Sequence, residues 1–150
     1  MNDTKAFTLK GTSILRELKT SCSVSIAHHI ISGEIVPESF QFICLWDTGA
    51  TSSVISKAVA NKLGLKPSGK SKVYHSDGES IVNTYLINLV LPNMVIFQLL
   101  KVTEGIFNDF DILIGMDIIT NGDFSITNLA SKTTFSFRVP SINEIDFLIE

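Results

Sequence analysis

The sequence predicts a mostly β domain with one or two short helices, and three observations predict it. Serine alternates with apolar residues over residues 18–27, which is typical of a strand with one face towards solvent. Asp77-Gly78 lies between two apolar runs, which is a strong hairpin signal. The chain has 150 residues, of which 45% are hydrophobic. This length and composition suit one domain with a single core.

The first third of the chain predicts two strands and the loop between them. Residues 1–17 have a mixed pattern and are predicted as an N-terminal arm or an extra strand. The strand at residues 18–27 is followed by a return loop at residues 28–38, which contains a glycine and a proline. A second apolar strand at residues 39–46 then ends in a tight turn.

A short helix is predicted after that turn. Ser56 is a good N-cap residue, and the apolar residues Val59 and Leu63 are four positions apart, so they share one helix face. Gly64, placed shortly before Pro67, predicts the end of the helix.

The rest of the chain predicts strands separated by short turns. Residues 140–150 are predicted as a tail without an assigned role, so the main domain is predicted to span residues 18–139. The remaining predicted strands are residues 72–74, 81–91, 95–102, 124–127 and 133–139, with one more inside residues 110–119 that runs into a short helical turn.

The turn after residues 39–46 carries a single carboxylate, in the triplet Asp47-Thr48-Gly49, which occurs once. Peptide hydrolysis by water without a metal needs one carboxyl that accepts a proton and another that donates one. Thr48 would add supporting hydrogen bonds, and Gly49, lacking a Cβ, would let two such loops approach closely. The triplet alone fits an ordinary turn equally well.

A second motif favours the catalytic interpretation. Leu113-Ile114-Gly115 lies in the apolar run of residues 110–119, and Ala50 directly follows the triplet that begins at Asp47. With both motifs in this order, the chain resembles the retropepsin-like family, the single-domain aspartic proteases related to the retroviral enzymes. The resemblance covers residues 18–139 and implies a closed β-barrel of the kind that forms half of an acid protease.

The resemblance also implies the roles of individual residues. Asp47 would be the catalytic residue, and Thr48, Gly49 and Ala50 would support it. The strand with Leu113, Ile114 and Gly115 would be the scaffold that passes behind the catalytic loop. The hairpin would be a flap over the substrate, with His75, Ser76, Asp77 and Gly78 as its candidate residues.

One Asp-Thr-Gly triplet per chain predicts a homodimer. Two-lobed acid proteases hold both aspartates in one chain and need about twice this length. Two copies would therefore complete the site, with residues 124–127 and 133–139 as candidate strands at the interface. The predicted function is an aspartic endopeptidase that activates water between two Asp47 carboxylates, and its predicted partners are a peptide or protein substrate and a second copy. The alternative is a catalytically silent retropepsin-like module for dimerisation or peptide binding.

Charge and composition argue against other partners. The net charge of −3 and the pI near 5.6, without a basic run, argue against nucleic acid. The sequence shows neither an evident secretory signal nor an apolar run long enough to span a membrane. Cys22 and Cys44 are expected to be buried reduced thiols, and a cytoplasmic location follows as the default.

No cofactor or metal is expected. His28 and His29 are adjacent, so in a strand they would point to opposite faces and could not bind one ion together. Asp117 is predicted to be a local cap or turn acceptor and not a second catalytic acid. Trp46 is predicted to pack in the core.

Overall fold

The structure is a computed structural model that describes residues 3–149. This part of the chain forms ten strands, two short α-helices and one 3₁₀ turn. In chain order they are β1 (Lys5–Lys10), β2 (Lys19–Ile26), β3 (Ser39–Trp46), β4 (Val54–Ser56), α1 (Lys57–Leu63), β5 (Gly69–His75), β6 (Gly78–Val90), β7 (Ile96–Gly105), β8 (Ile112–Ile114), α2 (Met116–Ile119), β9 (Asp123–Thr127), the 3₁₀ turn (Leu129–Ser131) and β10 (Thr134–Val139).

The larger sheet closes into a barrel of six strands. Its order is β2-β3-β8-β4-β7-β6, and β6 pairs back with β2 to close it. The β3–β8 and β4–β7 pairs are parallel, whereas the other pairs are antiparallel. β5 lies outside the barrel and pairs with β6 alone. The mostly β, closed-barrel fold that the resemblance implies is therefore confirmed.

A second sheet of three antiparallel strands, in the order β1-β10-β9, packs against one side of the barrel. An aromatic cluster joins the two, because Trp46 at the end of β3 lies 4.9 Å from Phe137 and 5.2 Å from Phe135 between ring centroids. Trp46 is buried, and its indole N–H donates to Thr20 at 2.9 Å. The prediction that Trp46 packs in the core is confirmed.

Residues 1–17 contain a strand, which is one of the two alternatives that the sequence left open. β1 pairs along its whole length with β10, from Lys5 opposite Val139 to Lys10 opposite Thr134. β10 therefore has a neighbour on both edges, β1 and β9. The division of the chain at residues 17 and 139 stays a prediction.

The predicted helix and its two ends are found in the structure. The hydroxyl of Ser56 accepts a hydrogen bond from the N–H of Val59 at 3.3 Å and caps α1. Gly64 ends the helix in the left-handed conformation, with φ of 63°, which favours glycine.

The alternation in β2 holds as far as Val24 and then reverses. Ser25 is buried and Ile26 is 45% exposed, the opposite of the predicted faces. The reason is that the end of β2 pairs with β6 to close the barrel, where Ser25 lies opposite the buried Asn88. The amide of Asn88 donates to the carbonyl of His28 at 2.8 Å, so a polar cluster replaces the apolar face here.

The prediction of two reduced cysteines is wrong, because Cys22 and Cys44 form a disulfide. In the β2–β3 register Cys22 lies opposite Phe42 and Cys44 opposite Thr20, so the two cysteines are diagonal neighbours on the core face, with 6.4 Å between their Cα atoms. Twenty-two residues separate them in sequence, and only the strand register brings them together. The disulfide also removes one argument for a cytoplasmic location, which stays a prediction.

Within residues 3–149, no helix has the length and apolar character needed to cross a membrane.

Candidate active site

Asp47 lies at the point where β3 leaves the barrel, and its side chain is half-buried. The N–H of Asp47 donates to the carbonyl of Ile114 at 2.9 Å, which continues the parallel β3–β8 pairing by one bond. The carboxylate oxygen Oδ1 accepts a hydrogen bond from the N–H of Gly49 at 2.8 Å. Within residues 3–149, Oδ2 accepts no hydrogen bond, so half of the carboxylate is available to a ligand.

Gly115 permits the close contact between β8 and the loop that begins at Asp47. A Cβ at Gly115 would lie 2.7–2.9 Å from backbone atoms of Ser52 and Ala50, which is closer than real Cβ atoms come. Directly after it, the N–H of Met116 donates to the carbonyl of Ala50 at 2.8 Å. The structure thus brings Leu113-Ile114-Gly115 together with the loop that begins at Asp47, as the resemblance implied.

A buried hydroxyl ties the end of this loop to α2. The Ser53 hydroxyl donates to Oδ1 of Asp117 at 2.8 Å and accepts from the N–H of Gly115 at 3.1 Å. The N–H of Ser53 donates to the other oxygen of Asp117 at 2.9 Å. Asp117 is therefore an acceptor, as predicted, but it mainly fixes a segment 64 residues away in sequence, and not only its own turn.

The role of Ser53 was missed by the sequence reasoning. Its position six residues after Asp47 carries no local signal, because both of its partners come from a distant part of the chain. Both oxygens of Asp117 are engaged, so this carboxylate is not free to serve as a second catalytic acid.

Partly exposed apolar side chains lie on the three strands around the Asp47 loop, which are β3, β4 and β8. Leu45 and Leu113 are opposite each other in the β3–β8 register, Val54 is opposite Leu113, and all three are partly exposed. A cavity of about 640 Å³ opens on the side of Asp47 that faces the second sheet. Its wall includes Ile14, Arg16, Leu18, Trp46 and Ile126.

The four candidate flap residues lie at the tip of the β5–β6 hairpin and are all exposed. Ser76 and Asp77 form the two-residue loop, and Gly78 follows with φ of 129°, a conformation that L side chains rarely adopt. His75 is held by a hydrogen bond of 2.8 Å between its Nε2 and the hydroxyl of Ser80. Within residues 3–149, no hydrogen bond connects these four residues to residues 47–53.

Two side chains away from this loop have shifted pKa values. Burial raises the pKa of Tyr85, and the hydrogen bond that the Tyr85 hydroxyl donates to Glu104 at 2.6 Å raises this pKa further. The Ser141 hydroxyl, the N–H of Ile142 and the Arg138 guanidinium hold the pKa of Asp123 well below its usual value. Tyr85 belongs to β6 and Asp123 begins β9, so neither is part of the Asp47 loop.

Metal-binding groups are not assembled in the part of the chain that is described. Within residues 3–149, no three His, Cys, Asp or Glu side chains are grouped as a metal site. The ring nitrogen Nδ1 of His28 lies 3.0 Å from the carbonyl oxygen of Ile26 and 3.1 Å from the side-chain amide nitrogen of Asn88.

Known proteins resemble this chain both in sequence and in fold. The model of a family described as gag-polyprotein putative aspartyl protease matches residues 31–121, which include both motifs. The chain is also similar to the crystal structure of a retropepsin-like aspartic protease from Rickettsia conorii, with a TM-score of 0.54 and 15% sequence identity over 91% of this chain and 96% of that chain. At this identity the likeness shows the fold alone. No curated protein sequence matches the chain.

Proposed function

Because the chain belongs to the retropepsin-like family of gag-polyprotein aspartyl proteases, we propose that it is an aspartic endopeptidase whose catalytic pair is formed by Asp47 from each of two copies. One observation carries the proposal: the Asp47 carboxylate is held through Oδ1 by its own loop, while Oδ2 is left open. A carboxylate fixed on one side can orient a water on the other.

In the proposed mechanism the two carboxyls share one proton. The ionised Asp47 takes a proton from water as the water attacks the peptide carbonyl, and the protonated Asp47 gives its proton to the carbonyl oxygen. As the peptide C–N bond breaks, the Asp47 that accepted the proton of water gives it to the leaving amine nitrogen. The other Asp47 takes a proton back from a hydroxyl of the tetrahedral intermediate, so the new carboxyl product forms and the pair again holds one proton.

A second copy is needed because one chain offers one open carboxylate in this loop. Asp117 is engaged by Ser53. Of the two strands that the sequence nominated for the interface, β10 is already paired on both edges, whereas β9 and β1 are the open edges of the smaller sheet. We therefore infer that backbone contacts between copies, where they occur in this sheet, involve β9 or β1. An isologous dimer about a two-fold axis would place the two Asp47 residues side by side.

The proposed substrate is an extended polypeptide with apolar side chains near the scissile bond. Leu45, Val54 and Leu113 supply partly exposed apolar surface on the strands around the Asp47 loop. An extended peptide presents alternate side chains to such surface. The β5–β6 hairpin would close over it as a flap and exclude water.

The decisive experiment digests a proteome-derived peptide library with the purified chain and its Asp47→Asn variant. We expect cleavage by the wild type and at least about a thousandfold loss in Asp47→Asn with the fold retained, as for removal of a group that acts in the transition state. Asp3→Asn changes the same charge at an exposed position and should cleave normally. Absence of cleavage by the wild type would favour the catalytically silent module.

Mixing tests whether the site is shared between copies. Excess Asp47→Asn chains added to wild type should suppress activity, because mixed dimers hold one functional carboxylate. The specific activity of wild type should also fall on dilution below the dimer dissociation constant. Undiminished activity per chain in a protein that sediments as a monomer would contradict the shared site.

A further inference from the structure

The outer edge of β5 is open. β5 ends the order of the larger sheet and pairs with β6 alone, so the backbone groups along its other edge have no strand partner within residues 3–149. An exposed strand edge of this kind accepts an added strand through backbone hydrogen bonds. The residues of β5 then decide which strand fits.

The exposed face of β5 carries positive charge followed by an apolar surface. Every second residue of β5 lies on this face, namely Lys70, Lys72 and Tyr74, and Tyr74 is 75% exposed. Within the described residues Lys70 makes no ion pair, and Lys72 makes one with Glu79 at 3.2 Å, where both side chains are about half exposed. Residues 57–72 contain five lysines and no acidic residue, so no nearby carboxylate in this stretch neutralises them.

A segment of the same chain has the complementary pattern. Beyond the contacts of Ser141, Ile142 and Asn143 with Asp123, residues 144–149 contain neither helix nor strand and include a turn. The N–H of Leu148 donates to Oδ1 of Asp146 at 2.8 Å in this turn, so the turn must open for the segment to become extended. Three residues with a period of two, Glu144, Asp146 and Leu148, would share one face if this segment were extended. The opposite face would carry Ile145, Phe147 and Ile149, and these apolar side chains are 53–80% exposed.

We propose that residues 144–148 of a second copy of this chain add to the open edge of β5 as a parallel strand. Glu144 then lies opposite Lys70, Asp146 opposite Lys72 and Leu148 opposite Tyr74. Ile145 and Phe147 lie on the other face, beside the half-buried Ser71 and Val73. Opposite charges and apolar pairs at facing strand positions each stabilise such pairing.

The occupant is a second copy because this chain itself carries both halves of the charge pattern. In one chain this segment starts from its anchor on Asp123 of β9, in the smaller sheet, while β5 extends from the far edge of the larger one. Such a contact joins two different surfaces, so it is heterologous. Association through it increases with protein concentration. It is independent of the isologous dimer proposed for catalysis.

A binding experiment with a charge reversal tests the register. A fluorescently labelled peptide of residues 142–149 is titrated with the full chain, and we expect saturable binding that weakens as salt is added. The double variant Lys70→Glu/Lys72→Glu should bind about tenfold more weakly, the effect expected from losing two facing ion pairs. Lys101→Glu/Lys132→Glu makes the same charge change at exposed positions outside β5 and should bind as the wild type does.

A peptide with Glu144→Lys and Asp146→Lys completes the cycle. It should bind wild type poorly and regain binding to the Lys70→Glu/Lys72→Glu chain, a rescue that a misfolded variant could not give. Circular dichroism checks that each variant is folded. Lack of saturable binding, or equal binding to all chains, overturns the proposed strand addition.

Sedimentation velocity of the full chain tests the occupant. Concentration-dependent species beyond the dimer should be lost in Glu144→Lys/Asp146→Lys, and the dimer itself should remain. If the peptide binds through Lys70 and Lys72 but this variant associates like the wild type, a different acidic peptide is the natural occupant and the proposal of a second copy is wrong.

Discussion

The Asp47 loop and the tip of the β5–β6 hairpin are supported in opposite ways. The loop is fixed by the carbonyl of Ile114, the close approach of Gly115 and the buried Ser53 hydroxyl. The hairpin tip is exposed on all sides and its one side-chain hydrogen bond, between His75 and Ser80, is local. A carboxylate that must hold water needs a fixed position, whereas a segment that admits and covers a substrate must be free to move.

Substitution of Gly115 gives the largest expected difference between the two regions. Gly115→Ala places a Cβ against the backbone of Ser52 and Ala50, which cannot yield as a side chain can. We expect a loss of about 3 kcal/mol in the free energy of unfolding and near-complete loss of activity. In the hairpin, Gly69→Ala meets only the Thr84 hydroxyl at 3.3 Å and should cost little. Urea unfolding of both variants checks this, and equal losses would contradict the difference in packing.

The Ser53 hydroxyl gives the next largest effect. Ser53→Ala leaves the N–H of Gly115 without its partner in a buried site, while Oδ1 of Asp117 keeps only the N–H of Ile118, and we expect this to cost about 1–3 kcal/mol. Activity should fall with it and be partly restored in Ser53→Thr, which keeps the hydroxyl. The matched hairpin variant, Ser80→Ala, loses an exposed bond to His75 and should change stability by less than about 0.5 kcal/mol.

Asp123 tests whether a carboxylate network outside the catalytic loop affects stability alone. Its pKa is held below the ordinary value of 3.8 by Ser141, Ile142 and Arg138. A depressed pKa means that the native state binds the proton less readily, so the stabilisation is present above the unfolded pKa and is lost as pH falls through the folded one. Asp123→Asn should therefore be less stable than wild type at pH 7, and the two should converge at strongly acid pH.

The control for Asp123 is Asp109→Asn, an exposed residue without a side-chain hydrogen bond within residues 3–149. Thermal unfolding at a series of pH values measures both variants. A pH-independent difference between Asp123→Asn and wild type would contradict the ionic origin of the stabilisation. Activity at pH 7 should be kept in both variants.

Shortening the hairpin should have the smallest effect on stability. Replacing residues 75–78 with a two-residue Asn-Gly turn keeps Tyr74 paired with Glu79 and removes the exposed tip. We expect the free energy of unfolding to change by less than about 0.5 kcal/mol, while kcat/KM falls at least about tenfold because the shortened flap no longer covers the substrate. Unchanged kcat/KM would show that the hairpin is a plain surface turn.

The sequence predicted the elements whose signals are local. Ser56 and Gly64 mark the two ends of α1 because each acts within its own turn. Asp77-Gly78 marks the hairpin, but the strand predicted before it covered only residues 72–74. The start of β5 at Gly69 depends on pairing with Thr84 and not on the hydrophobicity of β5 itself.

Features that depend on distant pairing were not predictable in the same way. The Cys22–Cys44 disulfide follows from the register of β2 and β3, and the Ser53–Asp117 contact follows from the approach of α2 to the catalytic loop. Two motifs predicted that Asp47 and Gly115 belong to one site, because a resemblance supplied the distant pairing. For the hairpin tip no such contact exists among the described residues, and its role stays a proposal.

β6 is one continuous strand that pairs with β5 over its first half and with β7 and β2 over its second half. It pairs with β5 as far as Thr84 and with β7 from Thr84 onwards. Its first residues are exposed, whereas Tyr85, Ile87 and Leu89 are buried in the barrel wall. Amide hydrogens before Thr84 can exchange with solvent when the hairpin frays, but those after it must wait for the barrel to open. We therefore expect two exchange lifetimes within this single strand, with the boundary between them at the buried Thr84.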